Sequence, residues 1–264
     1  MTDLAADLAL IVEAAREGAD LALAERARGL EIERKPGGSP VTNADLKVDA
    51  FLKERLLAAR PDHGWLSEET PDSPERLKHR RIFVVDPIDG TQAFIANRPW
   101  WCIPIAVIED GQPVAAVIHV PERSEIFVAT AGGGARMNGA AIRASDTDAL
   151  EDASLLASAQ MLQGPQWVTP WPPMRFEKRS ALAYRMALVA AGAFDATVAL
   201  TPKWDWDVAA GALIAREAGA IVTDHLGEDW RFNRPDPRQA SLVCAAPGLH
   251  PLILERTGAI PRAS

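Results

Sequence analysis

The stretch "FVVDPIDGT" (residues 83–91) runs an apolar segment directly into two aspartates that lie three positions apart. Phe83–Val85 has the apolar character of a buried strand. Asp, Pro and Gly are also common turn residues, so a simple turn is one interpretation. The other is a functional site, because Asp86 would then lie at the carboxyl end of a buried strand, where open sheets bind their ligands.

The residues that follow the strand suit a metal and a phosphate. Pro87 restricts the backbone, which allows Asp86 and Asp89 to turn toward one point. A helix that begins at Gly90 and Thr91 would present free N–H groups to a phosphate, with the Thr91 hydroxyl in the same place. The stretch therefore predicts a corner with two carboxylates and an anion-binding helix start, and the simple turn stays open.

Further carboxylates occur in two other segments. Glu68 and Glu69 lie in "WLSEET", and Asp207 begins "DVAAGALIAREAG". Alone, adjacent glutamates are typical of a solvated loop, and an acid at a helix start is typical of an N-cap. Together with Asp86 and Asp89 they form a set of hard oxygen ligands without His or Cys, which favours Mg²⁺ or Mn²⁺ over zinc. Two such ions about 3.5 to 4 Å apart can clamp the attacking and leaving oxygens in phosphoryl transfer.

The composition is that of an ordinary globular chain. Of its 264 residues, 48% are hydrophobic and 24% are charged, which allows a sizeable core. The formal charge of −8 argues against a nucleic-acid polymer or an anionic membrane as partner, whereas a bound cation would still admit a small anionic substrate. Only Cys102 and Cys244 occur, and the N-terminus lacks the features of a signal peptide. We expect a cytoplasmic protein without disulfides.

The first eighty residues predict two helices. Apolar residues recur at helical spacing over residues 3–28, and "ERKPGGSP" (33–40) predicts a mobile loop rich in Pro and Gly. Thr42 can cap the second helix. The expected buried stripe of that helix consists of Val48, Phe51, Leu52 and Leu56.

From about residue 81 the pattern changes to strands. "RIFVVD", "WCIPIAVIED", "PVAAVIHV" and "SEIFVATA" predict four strands, and Asn138-Gly139 predicts a hairpin. "GGGA" (132–135) lacks the Lys-Ser/Thr ending of a P-loop and predicts a plain loop. The Pro- and Trp-rich segment 162–176 is expected to cover a surface or an interface. Later helices, one of them closed by Gly219, alternate with strands and predict a mixed α/β sandwich.

Five motifs occur in the order and at the spacing of a known family. "SPVTNAD", "WLSEET", "DPIDGT", "GGGARMNGAAI" and "WDVAAGALIAREAG" resemble the motifs of the inositol monophosphatase superfamily of Mg²⁺-dependent, lithium-sensitive phosphatases. The resemblance implies a layered α-β-α-β-α sandwich of the inositol monophosphatase and fructose-1,6-bisphosphatase type, and a homodimer. It implies one catalytic unit over 1–264, with an N-terminal half (1–145) and a C-terminal half (146–264) that carries the Asp207 motif.

The resemblance also implies a ligand set for two or three Mg²⁺ ions, with Mn²⁺ as an alternative. Glu68, Asp86 and the carbonyl of Ile88 would hold one ion. Asp86 would bridge to a second ion, which Asp89 and Asp207 also hold. One ion would lower the pKa of a bound water and the second would stabilise the leaving alkoxide, so no covalent phospho-enzyme is needed.

For the reacting water and the phosphate, the resemblance implies roles for four residues. Asp45 and Thr91 would orient the attacking water, with Glu69 close by. The backbone N–H groups of Gly90 and Thr91 would receive the phosphate.

The doubled "WDWD" requires a choice between Asp205 and Asp207. The family pattern is Trp-Asp-x-Ala followed by small residues, which "WDVAAG" fits and "WDWDVA" does not. Asp207 is therefore the predicted metal ligand and also a predicted substrate contact. Asp205 stays open between a group that supports the ligands, a substrate-facing group and an exposed residue.

Substrate specificity is predicted from departures from the inositol phosphatases. Those enzymes carry an acidic residue a few positions before the Trp-Asp pair, where this chain has Leu200, with Thr201 and Lys203 as the nearest polar neighbours. Arg185 lies where the bisphosphate nucleotidase branch often has a lysine. It would hold a second phosphate or, alternatively, extend from a helix surface. Ser180 replaces a glycine that is common in the family.

The leading hypothesis is therefore a 3'(2'),5'-bisphosphate nucleotidase-like enzyme that acts on 3'-phosphoadenosine 5'-phosphate, with Arg185 and Lys203 among its substrate contacts. Inositol-1-phosphate is the close alternative, and histidinol phosphate and sugar bisphosphates stay open. Two other classes are weighed as well. One is an aspartyl-phosphate phosphatase of the haloacid dehalogenase type, whose motif places its aspartates two apart. The other is a non-catalytic phosphate-binding protein on the same fold.

Overall fold

The computed structural model describes residues 4–162 and 167–261. Within them the helices are α1 Leu4–Arg28, α2 Asn43–Ala59, α3 Thr91–Ile95, α4 Ala159–Leu162, α5 Leu182–Ala190, α6 Asp205–Glu217 and α7 His250–Thr257. The strands are β1 Ile32–Arg34, β2 Pro40–Thr42, β3 Gly64–Ser67, β4 Arg81–Val85, β5 Ile103–Glu109, β6 Gln112–Val120, β7 Glu125–Thr130, β8 Ala135–Met137, β9 Ala140–Ala141, β10 Ser154–Leu156, β11 Arg175–Glu177, β12 Ala196–Ala199, β13 Lys203–Trp204, β14 Ile221–Thr223, β15 Arg238–Gln239 and β16 Leu242–Ala245.

Two larger sheets organise these elements. The seven-stranded sheet has the order β3-β4-β5-β6-β7-β8-β9, in which β3 and β4 are parallel and the other neighbours are antiparallel. The five-stranded sheet has the order β11-β10-β12-β16-β14, with β10 parallel to both of its neighbours and β16 antiparallel to both of its own. β1 pairs with β2, and β13 with β15, in two small antiparallel ribbons.

Helices and sheets alternate in five layers. α1 and α2 cover one face of the seven-stranded sheet through a core that includes Ile11, Leu52 and Ile103. α5 and α6 fill the space between the two sheets, where Met186 and Ile214 are fully buried. The other face of the five-stranded sheet packs against α7, with α4 alongside. The predicted α-β-α-β-α sandwich is confirmed.

Strand β4 shows why an apolar run precedes the two aspartates. Phe83 and Val85 belong to the core beneath α1 and α2, whereas Ile82 and Val84 belong to the core around α5 and α6. All four side chains are almost completely buried. A strand that helices cover on both faces is a continuous apolar run instead of an alternating one. The strand predicted at 83–85 is therefore confirmed, and it ends where the acidic residues begin.

The predicted helices are confirmed with one correction inside α2. Thr42 caps this helix by accepting hydrogen bonds from the N–H groups of Ala44 (3.2 Å) and Asp45 (3.4 Å). Phe51 is only half-buried, because it lies beside the stripe that faces α1 and packs on the edge of the core. The fully buried members of the stripe are Val48, Leu52 and Leu56.

Two further segments differ from their predictions. The loop predicted over 33–40 is part of a hairpin, because β1 pairs with β2 across it and the Gly38 N–H donates to the Lys35 carbonyl over 2.8 Å. Helix α6 begins at Asp205, two residues before the predicted start, so Asp207 lies in its first turn instead of at its N-cap.

The predicted turns are confirmed where the structure describes them. Asn138 and Gly139 take positive φ values of 49° and 84° between β8 and β9, as a tight hairpin requires. In the glycine-rich loop, the N–H groups of Gly132 and Gly134 each donate to the Glu217 carboxylate over 2.8 Å. These two N–H groups are therefore already hydrogen-bonded within the protein.

The segment 162–176 is described only in part, since residues 163–166 lie outside the described residues. Trp167 and Trp171 meet edge to face at 5.1 Å and pack on the core that α7 shares with the five-stranded sheet. Across the described part of the chain, no helix has both the length and the apolar character needed to span a membrane.

The buried face of α2 gives a test of the packing. Leu52→Ala should lower the free energy of unfolding by about 2 to 5 kcal/mol, because it leaves a cavity between α1, α2 and the sheet. Leu46→Ala, on the same helix at a side chain that is 50% exposed, should change it by less than about 0.5 kcal/mol. Urea unfolding followed by circular dichroism measures both variants. Equal losses would contradict the assignment of the buried face.

Candidate metal centre and active site

The parallel pairing of β3 and β4 brings two of the acidic motifs together. Ser67 and Val85 are register partners at the ends of these strands, and the Glu68 N–H donates to the Val85 carbonyl over 3.3 Å. The carboxyl ends of parallel strands lie at the same edge of a sheet. Glu68, Glu69 and Asp86 therefore project from one edge, although Asp86 is 17 positions or more from the two glutamates in sequence.

Asp89 connects this edge to the second half of the chain. Its backbone exchanges hydrogen bonds with Cys102 over 2.9 and 3.0 Å. Its buried carboxylate accepts hydrogen bonds from the N–H groups of Leu182 (3.0 Å) and Ala183 (2.7 Å), at the start of α5. A predicted metal ligand is thus also part of the contact that positions α5.

Asp207 reaches the same place from the first turn of α6, where it accepts a hydrogen bond from the Trp204 N–H over 3.1 Å. Burial, together with the charge of Glu68, raises the pKa of Asp207 to about 7. Burial and the charge of Asp207 raise the pKa of Asp89 to about 8. For Asp86, burial first and then the charge of Glu68 hold the pKa well above its usual range. The four predicted carboxylate ligands are therefore close enough to influence one another.

A hydroxyl and a carboxylate lie beside this cluster. The Thr91 hydroxyl is 3.2 Å from Asp45 Oδ1 and 3.1 Å from the carbonyl oxygen of Ile88. The other oxygen of Asp45 accepts hydrogen bonds from the backbone and the hydroxyl of Thr42 over 2.8 and 2.5 Å. Burial raises the pKa of Asp45 above its ordinary value. The predicted water-orienting pair thus forms a contact, although the two residues are 46 positions apart.

Lys35 is the main site residue that sequence reasoning missed. Its ammonium donates to Glu68 Oε1 and to Glu69 Oε1, each over 2.6 Å, from the turn of the β1–β2 hairpin. Burial lowers the pKa of Lys35, but the charges of Glu68 and Glu69 and the hydrogen bonds to them together outweigh burial and raise the pKa above its usual value. Lys35 lies in the Gly- and Pro-rich segment 33–40, which was predicted only as a mobile loop. A single lysine in such a segment does not predict a contact with the acidic motifs.

Carboxylate and carbonyl oxygens are the donors that Mg²⁺ prefers, so the chemistry of this cluster fits a hard divalent cation. The Lys35 ammonium already shows that the two glutamates attract positive charge. In the described residues, no three His, Cys, Asp or Glu side chains form a ready-made group that could hold an ion. A divalent cation would therefore compete with Lys35 for these carboxylates. The residues that would hold it are Glu68, Asp86, the Ile88 carbonyl, Asp89 and Asp207.

Gly90 occupies a position that only glycine tolerates well. It caps α3 with φ of 91°, and a Cβ there would lie 3.1 Å from the Ala181 Cβ and 3.2 Å from the Trp100 carbonyl oxygen. The close approach of these backbones leaves no room for a side chain at the start of α3. The predicted phosphate contact through the Gly90 and Thr91 N–H groups stays a prediction.

Arg185 is held by hydrogen bonds inside the protein. Its guanidinium donates to the Thr197 hydroxyl (2.9 Å) and to the carbonyls of Leu156 (2.7 Å) and Val198 (3.0 Å). It therefore does not extend from a helix surface. Burial lowers the pKa of Arg185 to about 10, so it keeps its charge at neutral pH. These donors are used within the protein, and a direct phosphate contact by Arg185 stays a prediction.

The two aspartates of "WDWD" lie in different environments. Asp205 is fully buried and accepts hydrogen bonds from the Asn233 N–H (2.9 Å) and the Gln239 side chain (2.8 Å). It holds the loop that precedes β15 and is not exposed.

Lys203 lies in β13, where its ammonium donates to the Thr201 hydroxyl over 3.0 Å and burial lowers its pKa. Leu200 packs against the core of the outer layer.

Comparison with known proteins identifies the family. The model of the inositol monophosphatase family matches residues 3–262. The chain belongs to the inositol monophosphatase family. It is 33% identical to Nus factor SuhB of Escherichia coli K12 over 83% of this chain and 85% of the relative. It is also 33% identical to inositol-1-monophosphatase of Rhizobium meliloti over 76% of this chain and 77% of the relative.

Solved structures of inositol monophosphatase family proteins share the fold. The suhB protein of Bartonella henselae superposes with a TM-score of 0.82 at 26% identity, covering 96% of this chain and 98% of its own. The IMPase of Thermotoga maritima gives a TM-score of 0.82 at 25% identity, with coverage of 95% and 96%. Members of the family are generally Mg²⁺-dependent phosphatases, and this assignment replaces the haloacid dehalogenase alternative.

The raised pKa values predict how pH and Mg²⁺ affect stability. The folded protein keeps the protons of Asp207 and Asp89 up to about pH 7 and 8, whereas the unfolded chain releases them near pH 4. The folded state binds more protons in this window, so the stability of the metal-free protein should fall as pH rises from about 4 to 8. Mg²⁺ binds the deprotonated carboxylates, so it should raise Tm by about 5 °C at pH 8 and much less at pH 5.

Differential scanning fluorimetry in EDTA and in MgCl₂ measures this difference, with NaCl at equal ionic strength as the control. A Mg²⁺ effect that NaCl reproduces, or one that is larger at pH 5, would contradict the carboxylate site.

Proposed function

We propose that this protein is a Mg²⁺-dependent phosphatase that hydrolyses a small phosphomonoester with water as the nucleophile. The observation that carries the proposal is the group of interacting, largely buried carboxylates at the ends of β3 and β4, next to the Thr91–Asp45 contact. Glu68, Asp86 and Asp89 would hold the metal together with Asp207. When bound, Mg²⁺ would supply positive charge that lowers the pKa of water and stabilises charge on the phosphate and the leaving oxygen.

The chain's own residues would orient the water and accept its proton. Asp45 fixes the Thr91 hydroxyl, and this hydroxyl can hold a water on the side of the carboxylate cluster. Burial raises the pKa of Glu69 to about 7 against the opposing hydrogen bond from Lys35. A group with this pKa can take up and release a proton at neutral pH. Glu69 is therefore the proposed proton acceptor.

Two phosphomonoesters are the candidate substrates. The name of the Rhizobium meliloti relative supports inositol-1-phosphate. The alternative, 3'-phosphoadenosine 5'-phosphate, relied on Arg185, whose donors are used within the protein. A basic cavity beside α3, lined by Arg98, Lys178 and Arg179, gives it separate support.

A non-catalytic role is a second candidate. The name Nus factor, which the Escherichia coli relative carries, supports a function in this chain that does not depend on turnover. The predicted ligand set is complete here, which favours catalysis. Absence of turnover on any phosphomonoester by a folded, Mg²⁺-loaded protein would favour the second role.

Paired substitutions in "WDWD" test the proposed function. Asp207→Asn should lower Mg²⁺-dependent phosphate release at least about 100-fold, because it removes charge from a metal ligand. Asp205→Asn, two positions away, should change the rate less than about ten-fold while lowering Tm, because it loosens the loop before β15. Initial rates on inositol-1-phosphate and 3'-phosphoadenosine 5'-phosphate measure this, with EDTA as the metal-free control.

Circular dichroism establishes that both variants are folded. A reversed order of the two variants, or release that persists in EDTA, would overturn the assignment of Asp207 as a ligand.

A further inference from the structure

A cavity of about 430 Å³ lies beside the proposed phosphate position. Gln92 and Ala93 of α3 line it on one side, immediately after Thr91. Trp100 and Ser180 line it as well, and the Trp100 carbonyl is one of the groups that closely approach Gly90. The cavity therefore adjoins the backbone N–H groups of Gly90 and Thr91, which are expected to bind the reacting phosphate. The rest of a bound substrate can extend into the cavity.

This cavity is basic in an acidic protein. Its lining contains Arg98, Lys178, Arg179 and Arg185 but only one acid, Glu177, whereas the whole chain has a formal charge of −8. In the described part of the chain, no acidic side chain pairs with Arg98 or Lys178. Four cations against one acid, gathered in a concave site, create a field that attracts anions.

Two of the four cations are held in place by the protein. The Arg179 guanidinium lies 4.4 Å from the centre of the Trp100 ring and donates to Glu177 over 2.6 Å. Arg185 is fixed at the inner wall by its bonds to Leu156, Thr197 and Val198. Fixed cations lose little conformational entropy when they bind an anion, and the exposed Arg98 and Lys178 can complete its coordination.

We propose that this cavity binds a second anionic group of the substrate, a phosphate or a carboxylate that is not hydrolysed. The inference rests on the proposed function and narrows it: the natural substrate is a phosphomonoester whose leaving group carries another oxyanion. Arg98, Lys178 and Arg179 are the contacts, and Arg185 positions the inner wall. This differs from the expectation from sequence, in which Arg185 itself binds the second phosphate.

Matched substrate pairs test the cavity. 3'-Phosphoadenosine 5'-phosphate and adenosine 3'-phosphate differ only in the second phosphate, and 3-phosphoglycerate and glycerol 3-phosphate differ in a carboxylate. In each pair, kcat/KM for the substrate with the second anionic group should be about ten times or more that for the substrate without it. A charge-assisted contact contributes about a factor of ten. The first pair reports a phosphate as the second group, and the other reports a carboxylate.

The variant Arg98→Gln/Lys178→Gln should reduce this ratio about ten-fold. The control Arg136→Gln/Lys53→Gln removes one arginine and one lysine away from the cavity and should leave the ratio within about two-fold. A wild-type ratio near one for both pairs, or equal effects of the two double variants, would overturn the proposal.

Calorimetric binding of the adenosine pair separates this proposal from the proposed function. If no phosphomonoester is hydrolysed, the proposed function fails. The cavity is then judged by the affinity ratio of the two nucleotides alone: a preference for the bisphosphate that the Arg98→Gln/Lys178→Gln variant abolishes supports it, and equal affinities overturn it.

Discussion

The burial of several carboxylates close to one another is the constraint on which the rest of the structure depends. Asp86 and Asp89 are almost completely buried and Asp207 is partly buried. Burial raises the pKa of all three, the charges of Asp89 and Asp207 raise that of Asp86 further, and the charge of Asp207 raises that of Asp89. Burying unpaired charge costs several kcal/mol unless protons, hydrogen bonds or cations compensate it. The structure retains this group where the ends of β3 and β4 meet the starts of α5 and α6. A bound divalent cation would offset the free-energy cost of burying these carboxylates.

The same carboxylates join the sheets. Asp89 ends a segment that starts in the seven-stranded sheet, yet its oxygens accept the first N–H groups of α5. Asp207 comes from α6, which packs between the sheets. Lys35, from the β1–β2 hairpin, provides a positive charge in direct contact with Glu68 and Glu69. Binding of a cation is therefore linked to the relative position of three separate elements, and folding and metal binding are expected to be coupled.

The sequence was informative where the signal is local. β4, the Thr42 cap of α2 and the Asn138-Gly139 turn follow from residues within a few positions, and the ordered motifs predicted the family and its layered fold. Contacts between positions that are distant in sequence could not be predicted. The parallel pairing that unites Glu68 with Asp86 has no local signature. Neither do the hydrogen bonds of Arg185 or of Asp205, because their partners lie on other elements. For the same reason the sequence left Asp205 undecided and missed Lys35.

The central claim is that the carboxylates at the ends of β3 and β4 bind divalent cations together with Asp207. Anomalous diffraction from crystals soaked in Mn²⁺ tests it most directly, because the ion itself is located. The account predicts at least one anomalous peak bound by Asp86 and by one or more of Glu68, Asp89 and Asp207, with Lys35 withdrawn from the glutamates. Well-occupied Mn²⁺ elsewhere on the protein, with none among these carboxylates and Lys35 still bound to Glu68, would contradict it.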